Sequence, residues 1–319
     1  MEQQRAKNIR ERTKFALIPC SCMYIRAQTL CMVFLMCNNT NLAALAAEIR
    51  LTTLREFKTR GFGHVGGAMS IVEVLSVLYG KHMKIDPKNP KNPDRDWLVV
   101  SKGHAGPALY ATLALKGFFD LALLDTLNKP GTILPSHCDM NKTPGVDMTT
   151  GSLGQGISTA IGVAMGNRLD NIASTTYLII GDGECNEGQI WEGAMLASHF
   201  KLDNFVLFVD YNKQQLDGYT KNVLDMGDFG QKFDSFGFFT QVVDGHDVCA
   251  IDAAIQNAKN QKGKPAAIIL DTVKGKGCFF AEDVESNHHI AFTDEQIDKA
   301  IAEAQAALEN AEKAQVCNG

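Results

Sequence analysis

The sequence predicts an α/β fold, a mostly parallel sheet with helices on both faces, and three observations predict it. From about residue 150 onward, short apolar runs of strand length alternate with amphipathic runs of helix length. The 319 residues are 45% hydrophobic, which supplies apolar surface for a large core. Gly181-Asp182-Gly183 stands where one apolar run meets the next helix, the edge at which open α/β sheets take their ligands.

Leu42, Leu45, Ile49 and Phe57 recur at helical spacing between Asn41 and Arg60, with Asn41 as an N-cap and Gly61 as a stop. A Gly-rich turn, Gly61 to Gly67, leads to a helix over Ile71–Tyr79. A polar, Pro-rich connection (Asp86 to Asp96) precedes a strand at Trp97–Val100, a helix over Ala105–Lys116 and a long irregular stretch from Lys129 to Thr150. Further strands are expected at Thr176–Ile180, Phe205–Val209, Thr240–Val243 and Ala266–Asp271. Helices are expected over Ile157–Leu169, Ile190–Phe200, Val248–Lys259 and Asp294–Lys313, the last reading as a solvated Ala/Glu/Lys tail. No repeat interrupts the pattern, so residues 38–319 read as one domain.

Residues 1–37 stand apart. Phe15 to Cys37 is apolar and Cys/Met-rich, but Pro19, Arg26 and Gln28 break it below the roughly 20 apolar residues of a membrane span. Three readings compete: a non-native or mis-assigned extension, a weak targeting segment, and an extra helix. Nine cysteines without a C-x-x-C or zinc spacing point to reduced thiols and a cytoplasmic protein. The net charge of −5, with no basic stripe, argues against nucleic acid as a partner.

The chemistry concentrates between Tyr177 and Gly218. Asp182 follows a strand, and Asn212 closes the next strand thirty residues later. A right-handed crossover brings both to the same sheet edge. An Asp carboxylate, an Asn carbonyl and a nearby main-chain carbonyl form an oxygen-only set that suits magnesium, with remaining ligands from phosphates and water. The two glycines allow a tight turn of unusual dihedrals, and the following helix offers its N-terminal amides. This pattern fits a metal-bridged diphosphate. No G-x-G-x-x-G joins a strand to a helix, which disfavours a nicotinamide site.

The Gly-Asp-Gly to Asn-Lys run resembles the thiamine diphosphate motif, and its surroundings resemble transketolase specifically. The support is distributed over Gly63-His64-Val65-Gly66-Gly67, SKGHA within Asp86–Gly117, TTGSLGQG within Thr143–Gly166, and VDGHD at Val243–Asp247. It covers roughly residues 41 to 290. The resemblance implies that Asp182, Asn212 and the Gln214 carbonyl bind Mg2+. It also implies that Gly181, Gly183, Glu184 and His104 contact thiamine diphosphate. Gly151, Ser152 and Leu153 match the loop that meets the aminopyrimidine end across a subunit boundary, and Glu187 matches a glutamate at that boundary.

Transketolases ring the reactive carbon with histidines. His64, His104 and His137 align with three of them, and imidazole suits proton movement on substrate hydroxyls. A fourth falls at His288 or His289, between which the sequence does not choose. Val65 replaces a common proline, and Glu285–Thr293 departs from the usual wording.

The later half of a full-length transketolase, with the glutamate that protonates the aminopyrimidine, finds no counterpart before Gly319. The expectation is therefore a cofactor-binding subunit completed by a separate C-terminal transketolase subunit, in a heterotetramer or larger assembly that works on sugar phosphates. Two-carbon transfer is the implied activity. The alternatives are the alpha subunit of a 2-oxo acid dehydrogenase, a deoxyxylulose-phosphate synthase-like enzyme, or a non-catalytic ligand-binding relic. The SKGHA and TTGSLGQG wording favours transketolase over the first. The second is normally one chain, and intact Asp182 and Asn212 speak against the third.

Overall fold

The computed structural model describes residues 42–316, so the expectation for residues 1–37 lies outside the described residues. Five parallel strands form the central sheet: β1 (Trp97–Val100), β2 (Thr176–Gly181), β3 (Phe205–Tyr211), β4 (Phe239–Asp244) and β5 (Ala266–Asp271). Their order is β1-β2-β3-β5-β4. All five expected strands are present: β1 and β5 have the expected ends, and β2, β3 and β4 run one or two residues longer.

Apolar residues on both strand faces explain the near-continuous hydrophobic runs, because a parallel sheet is covered on both sides. On one face Val99, Leu178, Ile180, Leu207, Val209 and Ile269 share a cluster with helices α5 (Gln155–Leu169), α6 (Gly188–His199) and α8 (Phe229–Ser235). The alternate residues, including Tyr177, Ile179, Phe208 and Ile268, are equally buried, with Tyr177 and Phe208 stacked.

The remaining helices are α1 (Leu42–Lys58), α2 (Val65–Met69), α3 (Val72–Val77), α4 (Gly106–Leu115), α7 (Thr220–Val223), α9 (Val248–Asn260) and α10 (Asp294–Val316). Helix α3 continues through a wider turn at Leu78–His82, where Met83 N–H bonds the Leu78 carbonyl at 2.8 Å. Three differences from expectation have physical causes. Part of the Gly-rich turn is itself helical, because Val65–Met69 is buried and packs under the site. Helix α8 has no counterpart among the expected helices; Asp228 caps it and Phe229 and Phe233 enter the core. Helix α10 is not a solvated tail: Ile297, Ala300 and Ala304 are buried, the helix packs on α1, and Lys58 pairs with Asp298.

Parallel strands deliver their following loops to one edge. The segments after β1 (Ser101–His104), β2 (Asp182, Gly183), β3 (Asn212–Gln214) and β5 (Thr272–Lys274) therefore meet there. No described helix is long and apolar enough to cross a membrane.

Candidate active site

A cleft of about 190 Å³ opens at this edge, between Gly181–Glu184 on one side and Asn212–Leu216 on the other. Asp182 is almost fully buried; its Oδ1 accepts from Gly183 N–H at 2.8 Å and its Oδ2 from Lys213 N–H at 2.7 Å. Burial, reinforced by the negative charge of Asp210, pushes its carboxyl up to about 7. Asn212 donates from Nδ2 to Asp210 Oδ2 at 2.8 Å, which fixes the amide, and its Oδ1 accepts from Gln214 N–H at 3.1 Å. Neither Gly181 nor Gly183 has a positive φ, so the expectation of unusual dihedrals is corrected. Gly183 is needed for proximity: a Cβ there would stand 2.6 Å from Gln215 Cβ.

Two lysines to which the motifs assign no role also line the cleft. Lys102 Nζ lies 2.5 Å from Asp210 Oδ2 and donates to the Gly67 carbonyl at 2.7 Å. Ser70 and Thr272 hydroxyls complete the shell of Asp210 at 2.7 and 2.5 Å. Those bonds and the Lys102 charge outweigh burial and hold the Asp210 carboxyl below the usual range. Lys274 Nζ reaches the carbonyls of Gln214 and Gln215 at 3.4 and 3.3 Å and His288 Nδ1 at 3.4 Å. Burial pulls it down to about 8. Lys102 stands inside the SKGHA run just after β1, whereas for Lys274 the signal is its position just after β5.

The loop carrying Lys274 is braced from behind. His246 Nε2 accepts from Val273 N–H at 2.9 Å, its Nδ1 lies 3.3 Å from Glu73, and Glu73 pairs with Arg50, which also bonds the Lys276 carbonyl. His246 belongs to the VDGHD run, so that motif positions the loop from outside the cleft.

The histidines converge. The His64 ring lies 5.4 Å from His104, 5.5 Å from His137, 5.4 Å from His288 and 4.7 Å from His289. His104 and His288 are 4.6 Å apart and both line the cleft. His289 lies beyond His64, exposed, 5.5 Å from the Phe62 ring. The structure thus separates the pair: His288 faces the cleft and His289 stands on its rim. Burial lowers His64 to about 4 and His288 to about 3, with neighbouring Lys274 adding to both. His104 lies well below its usual value through burial and Lys102, and burial alone lowers His137. The shifts favour the neutral form of all four imidazoles.

The remaining predicted residues form the opposite rim. Gly151 carries φ +148 and lies against the His137 ring, while Ser152, Leu153 and Glu187 are exposed. Leu153 lines the cleft. Glu184 behaves differently: its buried carboxylate is engaged by the Ser101 hydroxyl, by Gly154 N–H at 2.8 Å and by Gly181 N–H at 3.1 Å. It ties the 151–154 turn to the end of β2.

The donor set fits a magnesium diphosphate. A buried carboxylate and an amide oxygen held by its own second partner face a cleft with two lysines, and the buried Gln215 Oε1 accepts no hydrogen bond among the described residues. No group of three His, Cys, Asp or Glu side chains that could hold a metal exists among the described residues. A magnesium ion held here would need its other ligands from main chain, phosphate and water.

Comparison with known proteins supports thiamine diphosphate as the ligand of this fold. The family profile described as transketolase, thiamine diphosphate binding domain, matches residues 42–313. The chain is 54% identical over 258 residues to the 6-deoxy-6-sulfo-D-fructose transketolase subunit SqwG of Clostridium sp. (strain MSTE9), covering 81% of this chain and 94% of that protein. It is 37% identical over 251 residues to one subunit of the apulose-4-phosphate transketolase of Phocaeicola vulgatus, covering 79% of this chain and 89% of that one. Among solved structures, Campylobacter jejuni transketolase superposes with a TM-score of 0.77 at 32% identity, over 85% of this chain and 45% of that one. The chain belongs to the transketolase family and corresponds to its amino-terminal, thiamine diphosphate binding part.

Proposed function

We propose that this chain is the cofactor-binding subunit of a two-subunit transketolase and transfers a two-carbon ketol unit between sugars that carry a terminal anion. The observation that carries the reading is the meeting, at one sheet edge, of the Asp182–Asn212 oxygen pair with four neutral imidazoles. Asp182, Asn212 and the Gln214 carbonyl would hold the magnesium ion, and Lys274 and Lys102 would offset the charge of the diphosphate. When bound, thiamine diphosphate supplies an electron sink for cleaving the carbon–carbon bond beside a ketose carbonyl.

The chain's own residues manage protons and position. As that bond breaks, the hydroxyl on the departing carbon loses its proton and becomes an aldehyde oxygen. A neutral imidazole of His64, His104 or His288 accepts the proton and returns it when the acceptor aldehyde becomes a hydroxyl. Gly151, Ser152, Leu153 and Glu187, on the rim, meet the partner subunit, which contributes the carboxylate that protonates the aminopyrimidine. The relatives support this division, since both are named as subunits. Their names also support a sulfonated or phosphorylated ketose as donor. The assembly is a cytoplasmic heterotetramer. The test is to co-purify the chain with its partner from the source and assay ketol transfer from each donor with Mg2+ and thiamine diphosphate. Transfer supports the reading; a complex that binds no cofactor contradicts it.

A further inference from the structure

Lys213 stands between Asn212 and Gln214, and its backbone is left-handed, with φ +67. A residue with a Cβ is disfavoured in that region, which Gly enters freely and Asn tolerates. Such a conformation persists only where the surroundings over-determine it, and strain of this kind gathers at functional sites.

The surroundings of Lys213 hold it on every side. Its N–H donates to Asp182 Oδ2 at 2.7 Å. Its carbonyl accepts from Thr220 N–H at 2.9 Å and from the Thr220 hydroxyl at 3.2 Å. The ammonium donates to the Thr272 carbonyl at 2.7 Å, pairs with Asp271, and stands 5.1 Å from the centre of the Tyr211 ring. The side chain thus reaches from the end of β3 to the end of its neighbour β5. Lys213 does not line the cleft, so this latch acts from outside it.

The left-handed residue also shapes the donors on either side of it. Asn212 Oδ1 accepts from Gln214 N–H at 3.1 Å, a tight turn that closes around position 213. Gln214–Gln215 then pairs antiparallel with Gly218–Tyr219. Extended backbone at 213 would open the turn and carry Gln214 on along the line of β3, away from the Asn212 amide.

We propose that Lys213 is a positioning residue for the metal site. Its left-handed backbone holds the Asn212 amide and the Gln214 carbonyl together for one ion, and its side-chain latch offsets the strain. The proposal rests on the magnesium diphosphate reading of the cleft.

The test compares Lys213→Ala with Lys213→Gly in the complete two-subunit complex. Both remove the latch, and they differ by one methyl group that disfavours the left-handed region. Calorimetric titration measures thiamine diphosphate binding over a range of Mg2+ concentrations, and urea unfolding checks that each complex is folded. Lys213→Ala should bind cofactor about five- to thirtyfold more weakly than Lys213→Gly and need more Mg2+ for half-saturation. Lys213→Asn, too short for the latch but tolerant of the region, should follow Lys213→Gly and serves in its own right where the alanine variant does not fold. Equal binding by the alanine and glycine variants, or glycine and asparagine variants that both lose cofactor, would overturn the proposal. So would a lowered urea midpoint with an unchanged Mg2+ requirement, which marks a structural role alone. A wild-type complex that binds no cofactor in Mg2+ would instead overturn the magnesium diphosphate reading.

Discussion

Lys102 Nζ and Asp210 Oδ2 lie 2.5 Å apart with side chains 2% and 0% exposed, directly behind Asn212. A buried pair of this kind is held in place by its hydrogen bonds, and removing one partner strands the other charge. Lys102→Met should therefore destabilise the protein by about 3–5 kcal/mol. Lys102→Met combined with Asp210→Asn should recover part of that loss. Urea unfolding of the single and double variants measures both effects, and additive losses would contradict the pairing.

Asp182 and Asn212 should govern metal-dependent cofactor retention. Asp182→Asn or Asn212→Ala should weaken thiamine diphosphate binding in Mg2+ by more than the roughly 10–100-fold that a supporting partner costs. Titration of bound cofactor by fluorescence, with unfolding curves as a control, checks this. Undiminished binding in either variant would remove the metal assignment.

Gly67 faces the His104 ring so closely that a Cβ there would stand 2.9 Å from Nε2. Gly67→Ala should push that imidazole off its position and lower kcat by about 100-fold, while the cofactor still binds. Steady-state kinetics of the complete enzyme with a cofactor titration separate the two effects.

The acid limb of stability should carry the mark of His64. Its pKa is about 4 in the folded chain and near 6.5 when unfolded, so between those values the unfolded state binds more protons. The stability this ring contributes is present above pH 6.5 and is lost as pH falls toward 4. His64→Gln should flatten the fall in denaturation midpoint across that window. An unchanged slope would show that the ring is not held neutral.

Much of the fold is legible in the chain because parallel strands leave strong marks. Four of the five read as near-continuous apolar runs, while β4 (Phe239–Asp244), at the sheet edge, is interrupted by Thr240 and Gln241. Asp182 and Asn212 sit at strand ends where topology alone brings them together. The histidine cluster is legible only through the family wording, since His64, His104, His137 and His288 come from four separate segments. What the sequence hides depends on tertiary contact. Lys274 looks like any surface lysine until burial brings it against Gln214 and Gln215. Glu184 carries no sequence sign that its carboxylate is spent on Gly154 and Gly181. Helix α10 looks polar because only Ile297, Ala300 and Ala304 need to touch α1.

The most direct test measures ketol transfer by the purified chain alone and after assembly with its partner, at saturating Mg2+ and thiamine diphosphate. The expected result is no turnover by the single chain and turnover on assembly, lost when Asp182 is replaced. Robust transfer by the single chain, or an assembled complex that neither binds cofactor nor turns over, would contradict a site completed between two subunits.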